Sequence, residues 1–206
     1  MPSYDPRSFY TFLKKGILEW EQTASPFPSQ RFLVNAMVNG TRPESAGAIV
    51  ELGPGVGVMT SALLRRMRQD AKLYTIEIDA PIHEELLRHV SDPRLVPILG
   101  SAEHTDTLAA EHGLDGKADA VLSSLGLSLI PPEIRHRILE SSARVLGPHG
   151  VFVQFGYVHT KYFVYSRARG YERFDYFGTL KRYFSRVERQ PMPLNVPPAY
   201  VYVCRP

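Results

Sequence analysis

The sequence predicts a doubly wound α/β domain built on a mostly parallel sheet. Short apolar segments alternate with helical segments from residue 48 to residue 155. A glycine-rich segment joins the first predicted strand to the helix that follows it. The chain has 206 residues, of which 44% are hydrophobic and 22% charged, so one domain with a full core fits its size and composition.

The first predicted elements are helices. Apolar residues at helical spacing predict an amphipathic helix from Phe9 to Trp20, and a proline-rich segment ends it. A second helix is predicted over residues 30–38, with Ser29 as its N-cap. We therefore expect N-terminal amphipathic or lid helices over residues 1–40 and the ligand-binding domain over residues 41–206.

Apolar segments separated by helical ones predict the sheet. The predicted strands are residues 48–52, 72–78, 95–99, 120–123 and 151–155, and the predicted helices are residues 60–68, 81–89 and 132–146. A turn over residues 147–150 is expected before the fifth strand, and two closing strands are predicted over residues 184–189 and 199–204. Residues 157–183 are aromatic and basic with no clear period. Ligands of such a sheet bind beyond the carboxyl ends of its strands.

Composition excludes several classes of function. Cys204 is the one cysteine, so the sequence excludes an internal disulfide and a cysteine-rich metal site, and no metal is expected. Without a signal-peptide pattern or an apolar run of membrane-spanning length, a cytoplasmic protein is expected. Residues 1–150 hold 15 Lys/Arg and 18 Asp/Glu, whereas residues 151–206 hold 9 and 3. The basic C-terminal part indicates an anionic partner, with an ordinary solvated surface as the alternative.

The segment from Glu51 to Gly57 reads Glu-Leu-Gly-Pro-Gly-Val-Gly. Its glycines permit a tight turn and a close approach of the backbone to a ligand. A dinucleotide fingerprint would need a glycine where Val58 stands, so the segment instead resembles the first motif of class I methyltransferases. The resemblance implies a Rossmann-like fold with a seven-stranded, mostly parallel sheet, an antiparallel closing strand, and S-adenosyl-L-methionine as cofactor.

Strand ends supply the other residues predicted to bind the cofactor. Glu77 ends the second strand, where its carboxylate can bridge both ribose hydroxyls; a surface carboxylate is the alternative. Ser101 stands where the resembled family often has an aspartate that meets the adenine amino group, and an ordinary loop serine is the alternative. The full predicted set is Glu51, Gly53, Gly55, Gly57, Thr60, Glu77, Ile78, Ser101, Ala102 and Ser123.

Segments along most of the chain are similar to the bacterial phospholipid N-methyltransferases, which convert phosphatidylethanolamine to phosphatidylcholine. The similar segments are residues 12–16, 26–33, 50–57, 123–127, 153–157 and 195–203. Residues 123–126 read Ser-Ser-Leu-Gly where Ser-Gly-Leu-Pro is expected, which fits a different headgroup, such as that of ornithine lipids. The resemblance implies a phospholipid substrate and peripheral association with the inner face of the cell membrane.

The implied reaction transfers a methyl group to a primary amine, which must first lose a proton. Tyr157, Gln154 or a water is predicted to orient the amine or to carry its proton away, and Tyr157 is the leading candidate for a catalytic residue. Aromatic packing at the sheet edge is the alternative role of Tyr157. Asn195 is predicted to hold a polar group of the substrate or to shape the turn that follows it.

The predicted membrane contacts are the helix from Phe9 to Trp20 and the basic–aromatic segment, residues 157–189. That helix is alternatively a lid over the cofactor cleft. Basic and aromatic residues interleaved as they are in this segment also suit single-stranded nucleic acid. An RNA adenine dimethyltransferase would carry an Asn-x-Pro-Tyr-like element in place of Ser-Ser-Leu-Gly, so nucleic acid is not the expected partner. A small-molecule methyltransferase and a cofactor-binding protein without catalysis are the remaining alternatives.

Overall fold

The computed structural model of the protein describes residues 28–114, 117–166 and 170–206. The helix predicted from Phe9 to Trp20 lies outside these residues, as do residues 167–169 of the basic–aromatic segment. The first described element is the helix that starts at Pro28.

A seven-stranded sheet forms the centre of the fold, and a two-stranded hairpin accompanies it. The strands are β1 (Ala48–Leu52), β2 (Lys72–Glu77), β3 (Leu95–Leu99), β4 (Ala118–Ser123), β5 (Leu146–Tyr157), β6 (Val164–Ser166), β7 (Gly170–Glu172), β8 (Arg186–Met192) and β9 (Ala199–Arg205). The order in the large sheet is β3-β2-β1-β4-β5-β9-β8. Strands β1 to β5 are parallel, and β9 runs antiparallel to both of its neighbours. The predicted sheet and its antiparallel closing strand are confirmed.

Helices cover both faces of this sheet. They are α1 (Pro28–Thr41), α2 (Val58–Leu64), α3 (Ala80–His89), α4 (Thr105–Glu111), α5 (Pro132–Val145) and α6 (Tyr176–Leu180). Leu33 and Met37 of α1 are fully buried in the core on one face, together with side chains of α2. Leu139 of α5 lies in the core on the other face. Burying each such side chain stabilises the fold by about 1.5–3 kcal/mol.

The two helices nearest the start of the described chain differ from their predicted bounds. Helix α1 begins at Pro28, so Ser29 lies inside the helix and the prediction of Ser29 as N-cap was wrong. Helix α2 begins at Val58, directly after Gly57 in its left-handed conformation, and it ends at Leu64 rather than residue 68. The Arg94 guanidinium donates to the carbonyl of Leu64, the last residue of α2, and to that of Met67 just beyond it. A contact between residues so far apart in sequence is not visible in the local apolar pattern.

Strand β5 also begins earlier than predicted, because the expected Gly-Pro-His-Gly turn forms part of the strand. Leu146 pairs with Ala118 and Val151 pairs with Ala120, and the register shifts between these two pairs. A Cβ on Gly150 would lie 2.9 Å from the Ala118 carbonyl oxygen, so a glycine is needed where the strands approach each other. Helix α4 and the 3₁₀ turn that precedes it, Ala102–His104, were also not predicted.

The segment without a clear period folds over the carboxyl end of β5. A 3₁₀ turn, Val158–Lys161, follows β5 directly and leads into the β6–β7 hairpin. Phe174 and Tyr176 then join the core, with their rings in an edge contact 4.6 Å apart. This segment therefore lies at the edge of the sheet where a doubly wound fold binds its ligands.

Candidate active site

The glycine loop, residues 53–57, connects β1 to α2 at the carboxyl edge of the sheet. Gly53, Gly55 and Gly57 have φ angles of 68°, 58° and 95°, which residues with a side chain rarely adopt. A Cβ on Gly57 would lie 2.7 Å from Leu86 Cδ1, which is closer than packing allows. The loop thus brings bare backbone to the place where a ligand of this fold binds.

Glu51 stands just before this loop on β1 and is fully buried. Its Oε2 accepts a 2.7 Å hydrogen bond from the Thr60 hydroxyl, whereas Oε1 is buried with no hydrogen-bond partner among the described residues. Burial is the main cause that raises the pKa of Glu51 to about 7. A buried acceptor without a partner is costly, and the ammonium group of a methionine donor is the kind of group that would satisfy it.

Glu77 ends β2 beside the glycine loop and is almost fully buried. Its Oε1 accepts hydrogen bonds from the backbone N–H groups of Ile78, at 2.9 Å, and Asp79, at 3.0 Å. Burial raises the pKa of Glu77, while these bonds and the Gly55 N–H oppose the rise. The carboxylate is held in one orientation at the strand end, as a ribose-binding carboxylate must be.

The remaining residues predicted for the cofactor differ in how their side chains are placed. Ile78 is 37% exposed, although it is apolar, and offers a flat surface next to Glu77. The Ser101 hydroxyl bonds Glu103, donating to Oε1 at 3.2 Å and accepting from its backbone N–H at 3.3 Å. Ala102 begins the 3₁₀ turn that follows. Ser123 is fully buried at the end of β4, and its hydroxyl accepts from the Leu125 N–H at 3.4 Å.

A cavity of about 550 Å³ opens beside the glycine loop. Gly53 and Pro54 of that loop form part of its wall, as does Met59 of α2. The loop after β4 adds Ser124 and Ser128. The volume is that of a typical small-molecule site, and an occupant of the cavity would lie against the glycine loop.

The far wall of the cavity is aromatic. It includes Tyr157 at the end of β5, His159 in the following turn, and Tyr165 and Tyr171 of the hairpin. Within the residues that the structure describes, no Asp, Glu, Lys or Arg lines this cavity. Its chemistry therefore suits an apolar body with a few polar or cationic atoms.

The three residues predicted for catalysis occupy different places. Tyr157 lines the cavity and stacks on His159, with ring centroids 5.6 Å apart. Gln154 is fully buried and donates from Nε2 to the carbonyls of Leu125 and Phe155. Asn195 lies in the turn between β8 and β9, where its Nδ2 donates to the Pro197 carbonyl at 2.7 Å. Only Tyr157 of the three is a lining residue of the cavity described above.

Sequence reasoning missed His159, Met59 and Ser128 as cavity residues. Met59 is the second residue of α2 and lies two positions after Gly57, so its closeness to the glycine loop was an available signal. His159 follows Tyr157 by two residues, but only the 3₁₀ turn after β5 brings both rings into one wall. The unsatisfied Oδ1 of Asn195 and Oε1 of Gln154 were likewise not visible in the sequence.

The described residues contain neither a cluster of metal ligands nor a membrane-spanning helix. No group of three or more His, Cys, Asp or Glu side chains there is arranged to hold a metal ion. No described helix is long and apolar enough to cross a membrane.

Comparison with known proteins assigns the central part of the chain. The family model described as a methyltransferase domain matches residues 49–150. The ornithine lipid N-methyltransferase of Singulisphaera acidiphila is 28% identical over 201 residues, which cover 97% of this chain and 96% of that protein. The ribosomal RNA small subunit methyltransferase A of Thiobacillus denitrificans is 30% identical over 117 residues, but these cover only 42% of that protein.

Solved structures show the same fold at low identity. One is the 1,6-didemethyltoxoflavin-N1-methyltransferase of Burkholderia thailandensis, which was solved with S-adenosylhomocysteine. It matches with a TM-score of 0.69 at 17% identity, and the match covers all of this chain and 92% of that protein's chain. The N-methyltransferase NodS of Bradyrhizobium japonicum has a TM-score of 0.67 at 13% identity and covers 87% of this chain and 97% of its own. Residues 49–150 are thus a methyltransferase domain, and the chain is a methyltransferase that uses S-adenosylmethionine.

Proposed function

We propose that this enzyme methylates the primary amine in the headgroup of an aminolipid. The observation that carries the proposal is the aromatic, largely apolar cavity that adjoins the glycine loop. A small polar acceptor would leave most of this wall without a favourable contact. An amphiphile that holds hydrocarbon close to its amine would cover the wall and bring the amine to the loop.

Ornithine lipid is the first acceptor we propose, because the relative similar over nearly the whole chain is named for it. Phosphatidylethanolamine, methylated stepwise towards phosphatidylcholine, is the second. Both lipids carry a primary amine and an anionic group next to acyl chains, so the same cavity suits both. The Ser-Ser-Leu-Gly sequence after β4, where the phospholipid enzymes are expected to have Ser-Gly-Leu-Pro, favours the ornithine headgroup.

The chain's own residues have defined parts in this proposal. Glu51 receives the donor's ammonium group on its unsatisfied Oε1, and Glu77 holds the ribose. Bound S-adenosylmethionine supplies an electrophilic methyl group on a sulfonium. The cofactor set is completed by the three glycines, Thr60, Ile78, Ser101, Ala102 and Ser123.

The cavity walls position the acceptor and exclude water. Tyr157 lies where its ring can contact the acceptor amine, and aromatic faces attract the cationic methylated product. Gln154 holds the loop after β4 through the Leu125 carbonyl, which sets the shape of the cavity. Asn195 contributes by fixing the turn that leads into β9.

The exposed aromatic residues around the hairpin supply a membrane contact in this proposal. Tyr162 is 66% exposed and Tyr171 is 79% exposed, and Phe163 and Tyr165 are exposed as well. Lys161 is exposed beside them. Aromatic rings that enter the interface and cations that meet anionic headgroups together hold a protein at a membrane surface. We expect peripheral association with the inner face of the cell membrane.

A labelled transfer assay tests the proposal. The protein is incubated with S-adenosylmethionine labelled in its methyl group and with ornithine lipid, phosphatidylethanolamine or 16S ribosomal RNA, each in separate reactions. Label in an aminolipid is expected, with ornithine lipid preferred. Label confined to RNA would favour the function named for the ribosomal RNA relatives instead. No label in any lipid would contradict the proposal.

A further inference from the structure

His159 brings a basic nitrogen heterocycle into the substrate cavity. It is half-buried in the 3₁₀ turn after β5 and lines the cavity next to Tyr157. No hydrogen bond from its ring nitrogens occurs among the described residues. An imidazole in a substrate cavity without such a partner is available to an occupant.

Two aromatic contacts hold the imidazole ring in place. Tyr157 stacks on it with the planes 17° apart, and the ring of Phe163 contacts it with ring centroids 5.5 Å apart. The backbone of His159 is also held, because the N–H groups of Tyr162 and Phe163 both donate to the His159 carbonyl. The face of a neighbouring aromatic ring attracts an imidazole that carries positive charge.

The proposed reaction needs a proton acceptor. An alkylammonium has a reference pKa of about 10, so the acceptor arrives protonated near pH 7 and its nitrogen has no free lone pair. A phenol is almost entirely protonated at that pH, whereas histidine side chains ordinarily titrate between pH 5 and 8. The other titratable groups of the described cavity wall are the phenols of Tyr157, Tyr165 and Tyr171.

We infer that His159 removes the proton from the acceptor ammonium inside the cavity. The imidazole takes the proton and becomes imidazolium, and the neutral amine forms its bond to the methyl carbon as the bond from sulfur to that carbon breaks. The imidazolium then releases its proton to water, since His159 is only half-buried. This inference rests on the proposed function, since only an amine acceptor needs the step.

Two substitutions separate this role from simple packing. His159→Gln removes the base, and His159→Phe keeps an aromatic ring in contact with Tyr157 and Phe163 but cannot accept a proton. We expect both variants to lose about 100-fold in kcat at pH 7 with saturating cofactor and ornithine lipid in mixed micelles. The loss should shrink as the pH approaches 10, where the free amine forms without help. His149→Gln, at the amino end of β5, is the matched control and should retain wild-type rates.

A second measurement needs no turnover. The imidazole proton resonances of His159, assigned by their absence in His159→Gln, are titrated without S-adenosylmethionine. Ornithine lipid micelles should lower the midpoint of that titration, because a nearby ammonium disfavours imidazolium, and micelles of an amine-free lipid should not.

Wild-type rates in His159→Phe would overturn the role of His159, and so would a titration midpoint that the aminolipid does not change. Either result would leave the lipid assignment intact. If the wild-type enzyme methylates no aminolipid, the proposed function fails and this inference fails with it.

Discussion

At the scale of the residue, the buried carboxylates carry most of the information about cofactor binding. Glu51 is held by Thr60 on one oxygen and has no protein partner on the other. Glu77 is held by two backbone N–H groups. Both have raised pKa values because they are buried. Burying their charged forms costs free energy of folding, which a bound cation or hydroxyl group can offset.

The raised pKa of Glu51 predicts how stability changes with pH. The folded carboxyl group titrates at about 7 and the unfolded one at about 4.5, so the folded state holds the proton more tightly. Stability of the cofactor-free protein should therefore fall as pH rises from 4.5 to 7, by about 3 kcal/mol at most.

Glu51→Gln removes this titration, so the variant should gain stability relative to wild type as pH rises through that window. Urea unfolding at pH 5 and pH 8 measures the difference. If the free energies of unfolding of the two proteins differed by the same amount at pH 5 and at pH 8, the assigned burial of Glu51 would be contradicted. Addition of S-adenosylmethionine should stabilise the wild type more than Glu51→Gln.

The position of Glu77 predicts a loss of cofactor affinity when its carboxylate is removed. Hydrogen bonds to a charged group contribute about 1.5–3 kcal/mol each, so Glu77→Ala should weaken S-adenosylmethionine binding by about 100-fold or more. Isothermal titration calorimetry measures the dissociation constant. Glu111→Ala, an exposed carboxylate on α4, is the control and should bind as wild type does. Unchanged affinity in Glu77→Ala would remove Glu77 from the site.

At the scale of the element, the sequence predicted what local patterns encode. The positions of the glycine loop after β1 and of Glu77 at the end of β2 were predicted correctly, because short apolar strands and the residues that follow them are local signals. The start of β5 and the end of α2 were predicted wrongly. The start of β5 depends on pairing with Ala118, and the end of α2 is contacted by Arg94, which lies far away in the sequence. The cavity wall was missed for a related reason: it lies on a 3₁₀ turn, Val158–Lys161, and on the short strands β6 and β7, which have no apolar period.

The hairpin region predicts a test of membrane contact. Binding to vesicles should require anionic lipid and weaken with salt. Each Lys or Arg near a membrane contributes about 1 kcal/mol, so reversing Lys161 and Arg173 together to glutamate should weaken binding by at least roughly 30-fold. Cosedimentation with vesicles measures this.

The matched control reverses Arg65 and Lys117, two exposed residues at the amino edge of the sheet, with the same change in net charge. An equal loss in both double variants would show that net charge, and not this surface, determines binding.

At the scale of the whole molecule, the carboxyl edge of the sheet brings two parts of the chain together. Strands β1 and β2 present the glycine loop and the buried carboxylates, and the residues after β5 build the aromatic wall of the cavity. The positions of the glycine loop and of the carboxylates were predictable from local sequence motifs. In the proposed function, the aromatic wall determines which acceptor fits.

A chain-length series of the acceptor tests the central claim most directly. The kcat/KM is measured for N-acylated ornithines with acyl groups from two to twelve carbons, all below their aggregation concentrations. Each methylene that enters the cavity contributes about 0.8 kcal/mol, so kcat/KM should rise by roughly fourfold per methylene until the cavity is full. Equal kcat/KM across the series would contradict the account, because it would show that the hydrocarbon chain makes no favourable contact with the cavity.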